Sequence, residues 1–498
     1  MIKLKSGALA MGLLALSAFN VSNAAEINNG RALATHTNQN EIKDLSLTEL
    51  RKRGLLVFTT PFNTADGFGD GPIGETPAER STIGGRPGLQ GNNTFSRVNG
   101  LDAQSCLECH AVLSRNTIPM TFGIGGTGGI NDTVIAGATF VNANHDADQI
   151  NSDGPTTGKN NINGRAINPP FVFGSGGVEL VGNEMTADLQ AKLVRLQARG
   201  PGSSIALTTK GISFGELRLT ETGELDASDV TGIDNDVESE TFLVVQPFGR
   251  KGNNITTRRF NQDATRFHFG MTPDEVLYEQ QNGFFPDPSL DGQISIDGDN
   301  DGVINEFLIG DLSVLNIFSA TLDKPRENGR TDASRRGLQK FKDVGCADCH
   351  TPVLKTTTKT IGLRYPEVPQ NPSENVYLSI DLTEKPGFRS NREGGINVRL
   401  FADLKIHNMG PELAEANGDA NFTTARLWGV ADTAPYLHDG RALTIEEAIF
   451  MHGQEGSDAE EAVTSFGELS EAEQSDVYAL FSTLKTPRKP ARDLLNNR

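Results

Sequence analysis

Four cysteines in 498 residues are few, and none of them is spare. They occur as Cys106-Leu107-Glu108-Cys109-His110 and Cys346-Ala347-Asp348-Cys349-His350, so every cysteine lies inside one of two CxxCH strings. That placement excludes the disulfide framework that staples many exported domains. Long apolar runs are equally scarce. The one run of note, Ala8 to Phe19, is too short to span a bilayer, and no second stretch approaches a membrane helix in length. Basic charge is in deficit, with 45 Lys and Arg against 64 Asp and Glu and a formal charge of −19, which argues against nucleic acid as a partner. Tryptophan is limited to Trp428, so any role that needs an indole can be filled at one place only.

What is present at the N-terminus sets the expected compartment. Lys3 and Lys5 precede the apolar run, which gives way to Ser22-Asn23-Ala24. This reads as a secretory signal peptide over residues 1–24, cleaved near Ala24, and predicts a periplasmic mature protein without a membrane span. No cysteine follows the run, so it offers no lipid attachment point. With Lys3 and Lys5 gone the side-chain charge becomes −21 (−19 less 2). An acidic surface of that size is a solvated surface first and, at low salt, a means of steering a basic electron carrier. A hydrophobic share of 36%, a charged share of 22% and a mean hydropathy of −0.35 describe a folded, water-facing chain, and its length suggests two or three domains.

In a CxxCH string the two thiols can add to the vinyl groups of haem, and the following histidine reaches the iron. A zinc site or a thiol redox motif would not require histidine after the second cysteine in both copies. The expectation is two covalently bound haem c groups, held by Cys106 and Cys109 with His110 as iron ligand, and by Cys346 and Cys349 with His350.

The flanking sequence suits small cytochrome domains. Gly337, Leu338, Phe341 and Val344 form an apolar helical stripe leading into Cys346. Downstream, Ser470 and Glu473 make a capping box ahead of Val477, Leu480, Phe481 and Leu484, and Pro487 stops the run. Between these helices, Thr444 and Glu447 make a second box, after which Ile445, Ile449 and His452 share a face. Another box, Ser46 to Glu49, opens the first unit before Leu50, Leu55 and Phe58, but about fifty Gly-, Pro- and Asn-rich residues then intervene before Cys106. From about Ile118 to Gly252 the chain is Gly-, Thr- and Asn-rich, and Ile212 to Leu219 and Phe242 to Val245 read as strands. The fold class expected is mainly α, with two cytochrome c-type haem domains and a β-containing elaboration of the first. The divisions are 25–285 for the N-terminal haem domain, 286–330 for a calcium-loop linker and 331–498 for the C-terminal haem domain.

The stretch Leu427-Trp428-Gly429-Val430-Ala431-Asp432-Thr433-Ala434-Pro435-Tyr436-Leu437-His438-Asp439-Gly440 resembles the C-terminal signature of bacterial di-haem cytochrome c peroxidases and of the related di-haem enzyme that matures tryptophan tryptophylquinone. Within that superfamily the chain is most similar to the di-haem oxidoreductases often labelled thiol oxidoreductases. The strings Asn168 to Gly176, Phe267 to Met271 and Asp403 to Gly410 resemble that family too. The resemblance implies that the ligand found as Met in the peroxidases, about fourteen residues after the HDG histidine, falls on His452, since His438 plus fourteen is His452. Met451 is the competitor; it is rotated by about 100° from His452 on a helix, away from the stripe of Ile445 and Ile449. The chain departs from the peroxidases in the 240 residues that separate Cys106 from Cys346 and in Trp428, which lies in the second unit rather than the first. An inter-haem relay through a first-domain tryptophan is therefore excluded.

Among the remaining histidines, His36 and His145 lie in polar, loop-like sequence and read as surface residues. His438 before a turn reads as a haem-pocket hydrogen-bonder; His407 neighbours Met409 and either can approach the second haem, with a packed pocket residue as the reading taken for His407. His268, between Phe267 and Phe269, is the candidate acid/base at the first haem, with a displaceable ligand or a packed histidine as open alternatives. Asp297-Gly298-Asp299-Asn300-Asp301-Gly302 has the carboxylate spacing and sixth-position glycine of a calcium loop, with Val303 able to offer a carbonyl. Leu308 stands at the twelfth position, so Glu306 or Asp311 would supply the missing oxygen. The function read from these features is a periplasmic di-haem oxidoreductase reducing hydrogen peroxide with electrons from a small cytochrome or cupredoxin. The alternatives are a substrate oxidase or oxygenase using dioxygen and a pure electron-transfer cytochrome. No residue supports thiol oxidation, since haem takes all four cysteines.

Overall fold

The computed structural model describes residues 30–69, 103–110, 112, 168–298, 301–414 and 418–495. The expected signal peptide, His145 and Asp299 lie outside them. The described α-helices are α1 Leu47–Thr59, α2 Cys106–Cys109, α3 Ser175–Arg199, α4 Thr257–Ala264, α5 Asp274–Asn282, α6 Ile309–Ala320, α7 Asp332–Asp343, α8 Cys346–Cys349, α9 Ile445–Met451, α10 Glu460–Gly467, α11 Glu471–Phe481 and α12 Arg492–Leu495. Small antiparallel sheets connect them, so the chain is helix-rich as expected. Among the described residues no helix is long and apolar enough to cross a membrane.

Helix α1 begins where Ser46 Oγ accepts the Glu49 amide at 3.2 Å, the predicted cap. Its buried face, Leu50, Gly54, Val57 and Phe58, lies against α6. Every residue of α6 is buried because both sides meet protein, and its polar members Asp311, Ser313 and Asn316 are bonded to His36, Gln39 and Thr257. The crossing is close at Gly54, where a Cβ would stand 2.1 Å from the Val314 carbonyl oxygen. Phe58 then packs on Phe318 with ring centroids 5.3 Å apart. Segment 286–330, read from the sequence as a linker, thus carries the helix on which the first unit is built.

The second unit repeats the arrangement. Helix α7 crosses α11 at Gly337, where a Cβ would stand 1.8 Å from the Asp476 carbonyl oxygen. One turn later Phe341 packs on Phe481 at 5.9 Å. The rim is tied by Arg336, whose Nε and Nη2 each donate to Asp476 at 2.7 Å. Phe341, Val344, Phe401, Phe466, Val477, Leu480, Phe481 and Leu484 form the local core, and the predicted stripes of both helices are those that bury. The Thr444 to Glu447 capping box forms in both directions, with Glu447 N to Thr444 Oγ1 and Thr444 N to Glu447 Oε2 both at 3.1 Å.

The region between the CxxCH strings departs from expectation. Its described part is led by α3, a 25-residue helix where loops and strands were expected. The predicted strand Ile212–Leu219 is present and pairs antiparallel with Ser204–Thr209, and Leu225–Asp226 completes a three-stranded sheet. Phe242 to Val245, predicted as a strand, is instead irregular and buried under α3. Helix side chains satisfy its backbone: Gln190 Nε2 donates to the Phe242 carbonyl at 2.7 Å, and the Val245 amide donates to Thr186 Oγ1 at 2.9 Å. A second hairpin, Thr360–Arg364 with Val376–Asp381, lies after the second CxxCH string and was not anticipated.

Candidate functional site

The second CxxCH string forms the single turn α8, entered through Gly345 at φ +90° and closed by the His350 amide bonding the Cys346 carbonyl at 3.0 Å. The His350 ring stands 6.4 Å from that of Phe341. Its Nδ1 donates to the Phe401 carbonyl at 3.1 Å, which leaves Nε2 available for coordination. His452 follows α9 and is held in the same way, with Nδ1 donating to the Ala448 carbonyl at 2.5 Å. Both residues are half-buried. Burial, and then the nearby His452 charge, push His350 down to about 4, and burial lowers His452 as well. Ile445 and Ile449 pack on the cluster that includes Cys346, whereas Met451 does not. Two neutral, carbonyl-anchored imidazoles in one pocket beside Phe341 are a donor set that suits a six-coordinate haem iron.

The first string reproduces this arrangement. Helix α2 is again one turn, and the His110 amide bonds the Cys106 carbonyl at 3.0 Å. Phe58 and His110 lie 6.3 Å apart at 53° between planes, beside 6.4 Å and 50° for Phe341 and His350. Burial, and then the nearby His268 charge, push His110 down to about 4. His268 therefore lies within electrostatic range of His110. It sits on a π turn, Thr265–Phe269, that widens the end of α4 and stops at Gly270 with φ +69°. Phe269 is buried and packs on Phe62 at 5.5 Å. Phe267 is placed in the same turn; its side chain lies outside the described detail.

None of the four cysteines is in a disulfide, and burial pushes the Cys106 thiol up to about 12 and Cys346 up to about 11. Low-pKa redox thiols have the opposite character. Near Cys349, His407 Nδ1 lies 3.8 Å from Sγ, while His407 Nε2 bonds Asp403 Oδ2 at 2.8 Å. Burial opposes protonation there, but the buried Asp403 carboxylate outweighs it and raises His407 to about 10. His407 is thus packed beside Cys349, with an anionic partner that the four-residue spacing could have suggested. His438 stacks on Phe422 with centroids 4.5 Å apart and lies 3.8 Å from Asp439. Trp428 is buried against Phe388, and Gly174 leaves room for its ring. Asn168 links the HDG segment to the N-terminal half: its Nδ2 donates to the carbonyls of Pro435 at 2.9 Å and Leu437 at 3.0 Å, and its amide donates to that of His438 at 2.8 Å.

In the acidic loop, Gly302 takes φ +90° and its amide donates to Asp297 Oδ2 at 2.9 Å, while the Val303 amide donates to Asp301 Oδ1 at 2.7 Å. Asp297 Oδ1 is buried and has no hydrogen-bond partner. That oxygen fits a cation. Glu306 is buried and accepts the Thr272 amide at 2.5 Å. Asp311 is committed elsewhere, to His36 Nδ1 and the Thr37 amide, both at 2.7 Å. His36, expected at the surface, is therefore a buried partner of Asp311, with 7% of its side chain exposed.

Residues 309–484 match the family model described as "Di-haem oxidoreductase, putative peroxidase", which bears out the resemblance to that family. Among solved structures, a MauG-like protein associated with microbial copper homeostasis is similar at 14% identity, covering 54% of this chain and 78% of its own, with a TM-score of 0.26. Hydrazine synthase of Kuenenia stuttgartiensis is similar at 16% identity, covering 45% of this chain and 61% of its own, with a TM-score of 0.22. No curated protein sequence matches.

Proposed function

We propose that this chain, a di-haem oxidoreductase by its match over residues 309–484, reduces hydrogen peroxide in the periplasm with electrons delivered by a small cytochrome or cupredoxin. The two haems would be attached at Cys106 and Cys109 and at Cys346 and Cys349, and they supply the redox-active irons. The observation that carries the reading is the pair His350 and His452, each anchored through Nδ1 to a carbonyl, so that the second pocket offers two ligand atoms. A pocket so furnished suits electron relay, and the chemistry is assigned to the first pocket. There His268 stands near His110 and moves a proton between the two oxygens of peroxide as their bond breaks. A calcium ion at Asp297, Asp301 and Glu306, with Asp299 and the Val303 carbonyl, would fix the loop that leads into α6.

A second reading of His268 has its own support. Each CxxCH histidine has a second histidine within electrostatic range, His268 for His110 and His452 for His350, and this parallel favours a displaceable ligand. His268→Ala distinguishes the two. As the acid/base, its loss leaves both ferric spectra intact and slows peroxide turnover by roughly a hundredfold. As a ligand, its loss opens a high-spin site. Unchanged spectrum and turnover would remove His268 from the site, and peroxide or carbon monoxide binding at the second haem alone would overturn the assignment of roles.

A further inference from the structure

We infer that Arg426 is the guanidinium that receives a propionate carboxylate of the haem at Cys346 and Cys349, an inference that rests on reading that string as a haem site. Arg426 lies between strand Asn421–Thr423 and the HDG segment. Its Nη2 donates to the Phe171 carbonyl at 2.6 Å, and its Cζ stands 5.6 Å over the Phe248 ring. Its Nη1 is buried and meets no acceptor among the described residues. Burial lowers its pKa to about 10, and no carboxylate among the described residues works against that.

The contrast with other buried arginines is informative. Arg258 is paired with Glu275 and Arg51 with Asp493, while Arg364, whose Nε and Nη1 also meet no acceptor among the described residues, has Glu179 and Glu367 within electrostatic range. Arginine keeps its proton in proteins, so the charge at position 426 persists and calls for an anion that the described residues do not supply. The flanking residues indicate which one. Leu427 packs on the cluster that contains Cys346 and Ala347. Thr424 donates to Asp403 Oδ1 at 2.6 Å, and the other oxygen of Asp403 holds His407 beside Cys349 Sγ. Arg426 therefore lies between Leu427, which packs on the same core cluster as Cys346, and Thr424, which is linked through Asp403 and His407 to Cys349. A haem attached there carries two propionates, and guanidinium is the side chain best shaped to take a carboxylate.

The test is potentiometry of the haem-loaded protein, following each haem by its own optical and EPR signal. Arg426→Gln removes a positive charge beside the second haem and should stabilise its ferric form. At the wild-type midpoint its ferric-to-ferrous ratio should rise at least tenfold, a fall of about 59 mV for one electron. Arg426→Lys keeps the charge and should recover most of the potential. If Arg426→Gln fails to load haem, resonance Raman of Arg426→Lys still decides, because the propionate-bending band of the second haem must move when the fork is lost. Unchanged potentials, an unmoved band or a shift confined to the His110 haem would overturn the inference. So would a wild-type potential that follows added acetate, which would make the site one for external carboxylates. Loss of peroxide turnover alone bears on the proposed activity and not on Arg426.

Discussion

Gly337 allows α7 and α11 to touch, and its replacement by alanine tests the packing on which the second pocket depends. A Cβ at 337 would lie 1.8 Å from the Asp476 carbonyl oxygen and 2.4 Å from its carbon, whereas ordinary contact begins at 3.4 Å. The helices must therefore separate by about 1.6 Å (3.4 less 1.8). A gap of 0.5–1 Å already forfeits a quarter to a half of the dispersion energy across such a face, and overpacking costs about 1–3 kcal/mol. The obstacle here is backbone on both helices, which places the cost near the top of that range. Alanine returns roughly 1 kcal/mol in helix propensity, leaving a net loss of about 2 kcal/mol. Gly467, at the end of α10 with nothing within 4 Å of its Cβ position, is the control, and Gly467→Ala should be neutral or stabilising. The assay is denaturant unfolding of the haem-loaded protein with low-temperature EPR of the same samples. Phe341 lies one turn beyond Gly337 and abuts His350, so a displaced helix should also shift the low-spin g values of the second haem. Gly54→Ala should act likewise on the first unit, its Cβ falling 2.1 Å from the Val314 oxygen. If Gly337→Ala were as stable as Gly467→Ala, with unaltered g values, the close crossing would have no part in shaping the pocket.

Glu179 is buried, and burial raises its carboxyl to about 7, against the pull of its bonds from Thr257. A carboxyl with a raised folded pKa binds more protons folded than unfolded. Its contribution therefore becomes unfavourable as pH climbs from the unfolded value of about 4.5 to about 7, by up to ~3 kcal/mol; Glu179→Gln should flatten the stability profile there, and an unchanged slope in melts between pH 4.5 and 8 would refute this. His452→Ala should convert one low-spin signal to high-spin, whereas a methionine charge-transfer band near ~695 nm in the wild type, a property of Met-ligated haem, would point to Met451 or Met409. Chelation and Asp297→Asn should each lower the melting temperature and the metal content, and a variant matching the wild type in both would reduce the acidic loop to a turn.

The parts of this molecule that were legible in the sequence are those fixed by local rules. The CxxCH strings, the caps at Ser46, Thr444 and Ser470, and the stripe that sets His452 apart from Met451 depend on residues within a few positions of each other. What escaped depends on long separations. Gly54 and Phe58 stand four apart like Gly337 and Phe341, yet Phe341 precedes its cysteine by 5 residues and Phe58 by 48, so the repeat of helix, phenylalanine and CxxCH is hidden by the interval. The partner of α1 is α6, more than 200 residues downstream, in a segment whose acidic loop suggested a linker. Helix α3 was obscured by the Gly-rich chain around it, although Val178, Leu189 and Leu196 are buried along one length of helix. Phe242 to Val245 has strand composition but no strand partner, because α3 satisfies its polar groups. His36 and Arg426 show the same limit: Asp311 lies 275 positions from His36, and the groups around Arg426 come from two distant segments.

The contacts from Asn168 to the HDG segment bear on how the chain folds. They are made to backbone carbonyls, so they select the shape of residues 435–438 and not their side chains, and they close a loop of 267 to 270 residues. Contacts of such high sequence separation form late, since loop-closure entropy is spent before they return anything. The turn that leads toward His452 is thus completed only once the N-terminal half is in place. A severed C-terminal unit could still form α7, α8 and α11 from its own sequence, yet it would lack the amide that shapes the segment leading to His452. Order of synthesis matches this dependence, because Asn168 leaves the ribosome well before Pro435 and the template precedes the loop it moulds.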